Sequence, residues 1–275
     1  MIIDSHTHIG TILYPVGKNR VSDLSGEELV AAMQKYSIDF ALVSSIESAE
    51  FDSEGQLAPP EKQIPQLESF RRLVKFVSEQ NNIRSGLPLL KASLWVKPNT
   101  EKVNPVLEQF ITDNSEHIAG LKMHPSLSNI KFNDDRFIPY LALASRFKLP
   151  VQVHTEDDGL ANPVYIAEVA ARFRSVKFIM VHMGLNTGNG EAIDIIRNND
   201  NIFGDTCEVK SDNVIKAIRE CGSKKILFGT DAVVHGIDTY ERYMILVEHI
   251  RNVFSKEEVE NVLFRNCMRL YGIIF

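Results

Sequence analysis

The alternation of strand-like and helical segments constrains this chain more than any other feature. Short apolar runs rich in Val, Ile, Leu and Phe recur along its 275 residues, and each is followed by a longer stretch with a helical pattern. The runs are residues 1–8, 39–45, 87–96, 120–125, 150–155, 176–182, 201–207 and 225–231. Eight such units without a composition break predict a single (β/α)8 barrel domain over residues 1–275. A doubly wound open sheet is the alternative, but no glycine-rich phosphate loop follows any run.

Several of the predicted helices carry start signals. A Ser followed three residues later by Glu has the spacing of a capping box, and an Asn before Pro places a capping side chain ahead of a first-turn proline. The capping-box spacings fall at residues 25–28 and 255–258, and the Asn-Pro pairs at 104–105 and 162–163. These signals predict helices that begin at the four positions.

Composition limits the classes of function. The net charge is −6, and acids and bases are interspersed without a basic patch, so we expect no nucleic-acid partner. No apolar run approaches the roughly 18 residues that span a bilayer, so we expect no membrane insertion. Three cysteines without a C-x-x-C pair favour a reducing compartment, and no basic leader segment precedes the first strand. We therefore predict a cytoplasmic protein.

Ionisable side chains gather where the predicted strands end. Because side chains alternate along a strand, two histidines one residue apart, as in IDSHTH, point to the same side. The strand-end residues are His6 and His8 on the first strand, Lys122 and His124 on the fourth, His154 on the fifth, His182 on the sixth and Asp231 on the eighth. The carboxyl ends of barrel strands are the face on which active sites assemble, so the sequence predicts one polar site there.

Three or four imidazoles with one carboxylate suit a single divalent metal ion. We expect Zn²⁺, with Mn²⁺, Fe²⁺ or Ni²⁺ as alternatives. We count no cysteine in this set, which disfavours a closed structural zinc site and predicts an open position for water. A metal can lower the pKa of bound water from about 16 to about 7. In this interpretation His6 and His8 are two arms of a metal site completed from across the barrel.

Motifs along the whole chain resemble those of the amidohydrolase superfamily, in the amidohydrolase-related branch of metal-dependent hydrolases and decarboxylases. The motifs are IDSHTH, GLKMHP, VHT, VHMG and FGTDA at the first, fourth, fifth, sixth and eighth predicted strands, and the closing segment VENVLFRNCMRLYGI. The resemblance implies a barrel of the metallo-dependent hydrolase type. It also implies four metal ligands, which are His6, His8, His154 and Asp231. His182 would lie close to the metal-bound water, as an acid/base or as an extra ligand.

The role of Lys122 stays open. In the two-metal branches a lysine at this place is carboxylated and bridges two ions, so we expect a second ion only if Lys122 is carboxylated. The LKMHP context resembles the one-metal branch, which favours a salt bridge or a contact with a substrate anion. His124 lies on the same face and is expected in the pocket wall. Lys18 and Arg20, after the first strand, are further candidates for contacting an anionic substrate.

The resemblance implies hydrolysis of an amide, ester or lactone bond in a small, anionic molecule by a metal-activated water. Asp231 would accept the proton of the water, while His182 steadies the oxyanion or exchanges a proton. Decarboxylation of a small unsaturated or aromatic carboxylic acid on the same ligands is the alternative. A non-catalytic metal-binding protein is a more distant alternative. A homodimer is common in the family and is compatible with this sequence.

Two other histidine-rich barrels match less well. The polymerase-and-histidinol-phosphatase family closes with Asp-x-His, whereas here Asp231 is followed by a histidine only at His235. The TatD-like deoxyribonucleases carry a glutamate near the position of Lys122.

The stretch of residues 47–66 is long for a loop between a strand and a helix. Loops of about 20 residues are uncommon unless they act as lids or are disordered. We expect this segment to cover the mouth of the site and to change its mobility on ligand binding.

Overall fold

The computed structural model describes residues 1–11, 23–52, 55–59, 62–83 and 88–274. Its strands are β1 (Ile3–Thr11), β2 (Asp23–Leu24), β3 (Phe40–Ser45), β4 (Leu89–Trp95), β5 (Ile118–Met123), β6 (Val151–Glu156), β7 (Phe178–Leu185), β8 (Ile202–Asp205) and β9 (Ile226–Leu227). They form one sheet in the order β2-β1-β3-β4-β5-β6-β7-β8-β9, and every neighbouring pair is parallel except β1 with β2. The short antiparallel strand β2 is an addition that the sequence did not predict.

Backbone hydrogen bonds between β1 and the segment from β9 onward close the sheet on itself. The N–H of Ser5 donates to the carbonyl of Phe228 at 2.8 Å, and the N–H of His8 donates to the carbonyl of Ala232 at 2.7 Å. Strands β1 and β3 to β9 therefore form the (β/α)8 barrel that the sequence predicts.

The helices lie between the strands and after the last one. They are α1 (Gly26–Lys35), α2 (Gln66–Ile83), α3 (Pro105–Asp113), α4 (Pro125–Ser128), α5 (Ile138–Phe147), α6 (Pro163–Arg172), α7 (Gly190–Asn198), α8 (Ser211–Cys221), α9 (Thr239–Val253), α10 (Lys256–Glu260) and α11 (Asn266–Tyr271). None of the described helices is long and apolar enough to cross a membrane.

All four predicted helix starts are confirmed. Ser25 accepts a hydrogen bond from the backbone of α1, and Asn104 and Asn162 do the same for α3 and α6, each ahead of a first-turn proline. At α10 both halves of the capping box form between Ser255 and Glu258. Each cap is worth about 1 kcal/mol.

Apolar side chains seal the amino-terminal end of the barrel. Residues near the starts of their strands, such as Ile3, Phe40 and Phe203, cluster there with Tyr271 of α11. A Cβ added to Gly120 would lie 3.0 Å from Cε1 of Tyr271, so β5 needs a glycine where α11 packs against it. Because this end is filled with apolar groups, the polar site has room only at the carboxyl end.

Several strand ends differ from the predicted ones, and two of them concern predicted metal ligands. Strand β1 continues to Thr11, so His6 and His8 lie within it, and β9 ends at Leu227, so Asp231 lies in the turn beyond. Strand β9 ends where its pairing with β8 ends, at Leu227 opposite Asp205, and beyond that point the backbone N–H of Asp231 bonds to the carbonyl of His6 at 2.9 Å. Asp231 and His182 both have left-handed backbones, with φ of 65° and 68°. This conformation costs a non-glycine residue roughly 1–2 kcal/mol, and such strain clusters at functional sites.

The described part of residues 47–66 lies on the carboxyl-terminal face. The backbone N–H groups of Glu50 and Phe51 donate to the carbonyl of Leu127, in the segment after β5, at 3.2 and 2.9 Å. Its role as a lid stays a prediction.

Candidate active site

Three potential metal ligands converge at the carboxyl-terminal mouth of the barrel. The Nε2 atoms of His6 and His8 are 3.0 Å apart, and Oδ1 of Asp231 lies 3.4 Å from the first and 3.0 Å from the second. All three residues were predicted as ligands, from opposite ends of the chain. Separations of roughly 3 Å are those of neighbouring ligands around one ion with bonds of about 2.1 Å.

The other ring nitrogen of each histidine has a partner of its own. Nδ1 of His6 lies 3.2 Å from Oδ2 of Asp205, and Nδ1 of His8 lies 2.9 Å from the hydroxyl of Ser44. The Ser44 hydroxyl is also 3.4 Å from the carbonyl oxygen of Thr7, to which it can donate. This arrangement puts the ring proton on Nδ1 and leaves the Nε2 lone pairs facing each other, as metal-binding histidines do.

Lys122 places a cation beside these lone pairs. Its Nζ lies 3.0 Å from Nε2 of His6, and the side chain is buried. Burial lowers the pKa of Lys122 to about 8, although Asp231 and Asp205 oppose this shift. Burial also lowers the pKa of His6 well below its usual value, and the charge of Lys122 adds to that effect. His6 is therefore neutral and accepts from the ammonium group.

Asp231 is the carboxylate of the site. Burial would raise its pKa, but the contact with Nε2 of His8 and the neighbouring imidazoles hold the pKa well below the usual value. Its side chain keeps 16% exposure toward the pocket, so an ionised oxygen is accessible.

His154 lines the same pocket but stands apart from the three converging residues. Its Nε2 lies 3.1 Å from Oε1 of Glu156, outside hydrogen-bond geometry, and this buried nitrogen has no hydrogen-bond partner among the described residues. Its ring stacks on His124 at 3.7 Å, and His124 stacks on Trp95 at 5.3 Å. The structure thus places His124 in the pocket wall, as expected. The role of His154 as a metal ligand, which the sequence analysis predicts, stays a prediction.

His182 faces the pocket with a neutral ring. Nδ1 lies 3.2 Å from the carbonyl oxygen of Cys207, which can only accept, so Nδ1 carries the ring proton and Nε2 is unprotonated. Burial lowers the pKa of His182 to about 3, and His154 contributes to that shift. The ring can therefore accept a proton or bind a metal, and its predicted donation to an oxyanion would first need a proton.

Sequence analysis missed two buried residues of the site. Oδ1 of Asp205 accepts the backbone N–H groups of His182 and Cys207 at 2.9 and 3.2 Å, while Oδ2 contacts His6. Burial raises the pKa of Asp205, whereas the hydrogen bonds from the N–H groups of His182 and Cys207 and the charge of Lys122 favour the ionised acceptor. Cys207 brings a thiol within 4.8 Å of donor atoms of His182 and Asp231, next to a set from which the sequence analysis left cysteine out. Asp205 and Cys207 lie in the last three residues of the run NIFGDTC. Their place near the end of a predicted strand was the signal that could have identified them.

A cavity of about 330 Å³ opens above these residues. Trp95, His124 and Leu127 are among its lining residues, and His235 and Glu208 also contribute. Nε2 of His235 lies 3.5 Å from Oε1 of Glu208, and both residues belong to the pocket wall. The volume is at the small end for ligand pockets, so it suits a small molecule. Lys18 and Arg20 lie outside the described residues.

Comparison with known proteins identifies the family. The family model described as amidohydrolase matches residues 92–273, more than half of the chain. The chain therefore belongs to the amidohydrolase family, in agreement with the resemblance of its motifs. No curated protein matches the sequence.

Solved structures with the same fold include both decarboxylases and hydrolases. One is 5-carboxyvanillate decarboxylase LigW from Sphingomonas paucimobilis, with 14% identity, a TM-score of 0.68 and 99% of each chain covered. Another is a dihydroxybenzoic acid decarboxylase from Polaromonas sp. JS666 with bound manganese and 2-nitroresorcinol, with 14% identity, a TM-score of 0.71 and coverage of 98% of this chain and 96% of that one. A third is a putative 2-pyrone-4,6-dicarboxylic acid hydrolase from Pseudomonas putida, with 11% identity, a TM-score of 0.64 and coverage of 98% and 97%.

The residues present suit the metal ion on which this family depends. Two imidazole lone pairs and an ionised carboxylate meet at 3.0–3.4 Å, and a lysine ammonium already lies beside them. Nitrogen and oxygen donors of this kind are compatible with Zn²⁺ and with Mn²⁺.

Proposed function

We propose that this protein is a metal-dependent hydrolase that acts on an amide, ester or lactone bond of a small, anionic molecule. The observation that carries the proposal is the convergence of His6, His8 and Asp231 beside a small pocket that His8 and Asp231 line. We further propose His154 as a fourth ligand, because its buried Nε2 lacks a hydrogen-bond partner among the described residues.

A divalent ion bound there would polarise a carbonyl oxygen and lower the pKa of a water molecule. Asp231 is ionised and partly exposed, so it can accept the proton of the attacking water. The unprotonated nitrogen of His182 can take that proton on and return it to the leaving group. The Lys122 ammonium supplies a buried positive charge for an oxyanion or for an anionic group of the substrate.

Decarboxylation is the second candidate, and a stack of aromatic rings in the pocket wall together with the charge of Lys122 is compatible with it. Trp95, His124 and His154 form a stack whose successive rings are tilted by only 10° and 12°. A flat, unsaturated acid could extend that stack, while Lys122 could hold its carboxylate. Structures of the same fold include decarboxylases of aromatic acids. The same wall also accommodates a flat lactone such as a pyrone, so the stack alone does not separate the two reactions.

Paired substrate panels distinguish them. The metal-loaded protein is tested on lactones, esters and amides in one panel and on aromatic or unsaturated carboxylic acids in the other. The proposal predicts ring opening or bond hydrolysis without CO₂ release. Release of CO₂ without hydrolysis would replace the hydrolase assignment by the decarboxylase, and inertness toward both panels would favour a non-catalytic metal-binding protein.

Asp231→Asn gives the test of mechanism. An amide still offers an oxygen to the ion but cannot accept a proton, so activity should disappear while metal stays bound. His249→Gln, on helix α9 and away from the pocket, is the matched control and should keep both activity and metal.

A further inference from the structure

A second set of donor atoms lies next to the first and shares Asp231 with it. Donor atoms of His182, Cys207 and Asp231 all lie within 4.8 Å of one another. Around a tetrahedral zinc ion with one sulfur ligand, neighbouring donors are roughly 3.3–3.6 Å apart, so small side-chain adjustments would bring these three onto one ion. His182 and Cys207 are buried, and the Asp231 side chain is 16% exposed.

The backbone holds His182 and Cys207 together before any ion binds. One oxygen of Asp205 accepts the N–H groups of both residues, and Nδ1 of His182 donates to the carbonyl of Cys207. The His182 ring therefore has a fixed orientation, with its unprotonated nitrogen available. Histidines that bind metals are typically oriented in this way, because the ring nitrogen that does not bind the metal donates a hydrogen bond to a carbonyl or carboxylate.

Cys207 differs from an ordinary buried cysteine. A free cysteine in a core packs as a small apolar group, but Cys207 lies beside an imidazole and a carboxylate that both line the cavity. Its sulfur makes no hydrogen bond within the described part of the chain, whereas Sγ of Cys221 donates to the carbonyl of Ile193 at 3.4 Å. Cys221 therefore serves as a matched control.

We propose that His182, Cys207 and Asp231 form a second metal subsite, with the Cys207 thiolate as its soft donor and Asp231 as the ligand common to both subsites. On binding, the thiol loses its proton to the solvent and its sulfur lone pair forms the bond to the ion. The centre then holds two ions without a carboxylated lysine. The inference rests on the proposed function only in taking the barrel mouth to be a metal centre.

The donor set determines which ions the subsite accepts. A thiolate with an imidazole and a carboxylate selects Zn²⁺, Co²⁺ or Cd²⁺ over Mg²⁺ and Ca²⁺, which need oxygen ligands. Filling this subsite also turns His182 from a proton acceptor into a ligand. Whether the second subsite holds an ion thus decides whether His182 accepts protons or binds a metal.

Cobalt titration of the full chain tests the proposal without relying on activity. The protein is stripped of metal under reducing conditions, titrated with Co²⁺, and followed by the near-ultraviolet thiolate-to-cobalt charge-transfer band and by bound cobalt. We expect two equivalents and the band in the wild type. Cys207→Ser and Cys207→Ala should lose the band and one equivalent. Cys221→Ser should match the wild type, and His8→Ala should keep the band while losing the other equivalent.

The outcomes separate this proposal from the proposed function. A wild type that binds cobalt without a thiolate band, or a band that survives in both Cys207 variants with normal circular dichroism, would overturn the second subsite and leave the first intact. If the wild type bound a single equivalent of cobalt, and both His8→Ala and Cys207→Ser lost the thiolate band, one ion would be bound by both sets of ligands. That result would also overturn the second subsite. Failure to bind any cobalt would reject both proposals.

Discussion

Oδ2 of Asp205 lies 3.2 Å from Nδ1 of His6, and the other oxygen of the same carboxylate holds the backbone of His182. A single buried carboxylate on β8 thus orients a proposed ligand on β1 and a proposed acid/base group on β7. Residues that bond to metal-binding histidines in this way typically contribute 10- to 100-fold to metal affinity.

We therefore expect Asp205→Asn to weaken metal binding by about 10- to 100-fold, because the neutral amide is a weaker acceptor for the Nδ1 proton of His6. Competition with a chelator of known affinity measures the change. Asp212→Asn, at an exposed position in the first turn of α8, is the control. Equal affinities of Asp205→Asn and the wild type would show that the contact does not orient the ligand.

His182→Asn should lower turnover by about 10²- to 10⁴-fold, the usual contribution of an acid/base group. The ion held by His6 and His8 should stay bound, because the substitution leaves that pair intact. Steady-state kinetics with metal analysis on the same sample provides the measurement. Loss of that ion together with activity would instead make His182 one of its ligands.

His124→Ala should raise KM by about 2- to 10-fold, since a stacked aromatic contact is worth about 0.5–1.5 kcal/mol. Metal content should be unchanged, because His124 lies in the stack of rings and not in the converging set. His124→Phe keeps the stack and should restore most of the affinity for a flat substrate. If both variants had the same KM as the wild type, the stack would not contact the substrate.

The buried carboxyl of Asp4 should make the metal-free protein sensitive to pH. Burial raises the pKa of Asp4 to about 7 from 3.8, although hydrogen bonds from Thr230 and His6 oppose the shift. The folded state therefore holds a proton that the unfolded state releases, and the stabilisation from Asp4 is lost as the pH rises from about 4 to about 7.

Asp4→Asn is nearly isosteric and cannot titrate, so the comparison isolates this group. The free energy of unfolding of the wild type, relative to Asp4→Asn, should fall by up to a few kcal/mol over that range and then stay constant. Denaturant unfolding in the presence of a chelator measures it. A difference that is flat from pH 4 to 7, or that rises, would contradict the assigned shift.

The barrel and most of the polar site were predictable from the sequence because both depend on local patterns. Apolar runs, caps and strand-end histidines report what each segment needs by itself. Asp205 and Cys207 were missed because their importance depends on which strands become neighbours. Strand β8 ends at Asp205, with Cys207 just beyond it, and lies between β7, which carries His182, and β9, which precedes Asp231. This placement gives a buried aspartate and a buried thiol their polar partners.

Strand limits were harder to predict for a similar reason. Asp231 belongs to the turn beyond β9 because the pairing of β9 with β8 ends at Leu227, opposite Asp205, and no local pattern indicates where that pairing stops. Three further points remain predictions: that residues 1–275 form one domain, that the protein is a homodimer, and that it is cytoplasmic.

Zinc retention in variants of the converging set tests the central claim most directly. Wild type, His8→Ala, Asp231→Ala and the control His249→Ala are loaded with Zn²⁺, dialysed against a weak chelator and analysed for metal, with circular dichroism as a check of folding. Removing a ligand should cost more than the 10- to 100-fold of an orienting residue. We predict that wild type and control retain the ion bound by His6, His8 and Asp231, and that both other variants lose it. Stoichiometric zinc at this site in folded His8→Ala and Asp231→Ala would contradict the account.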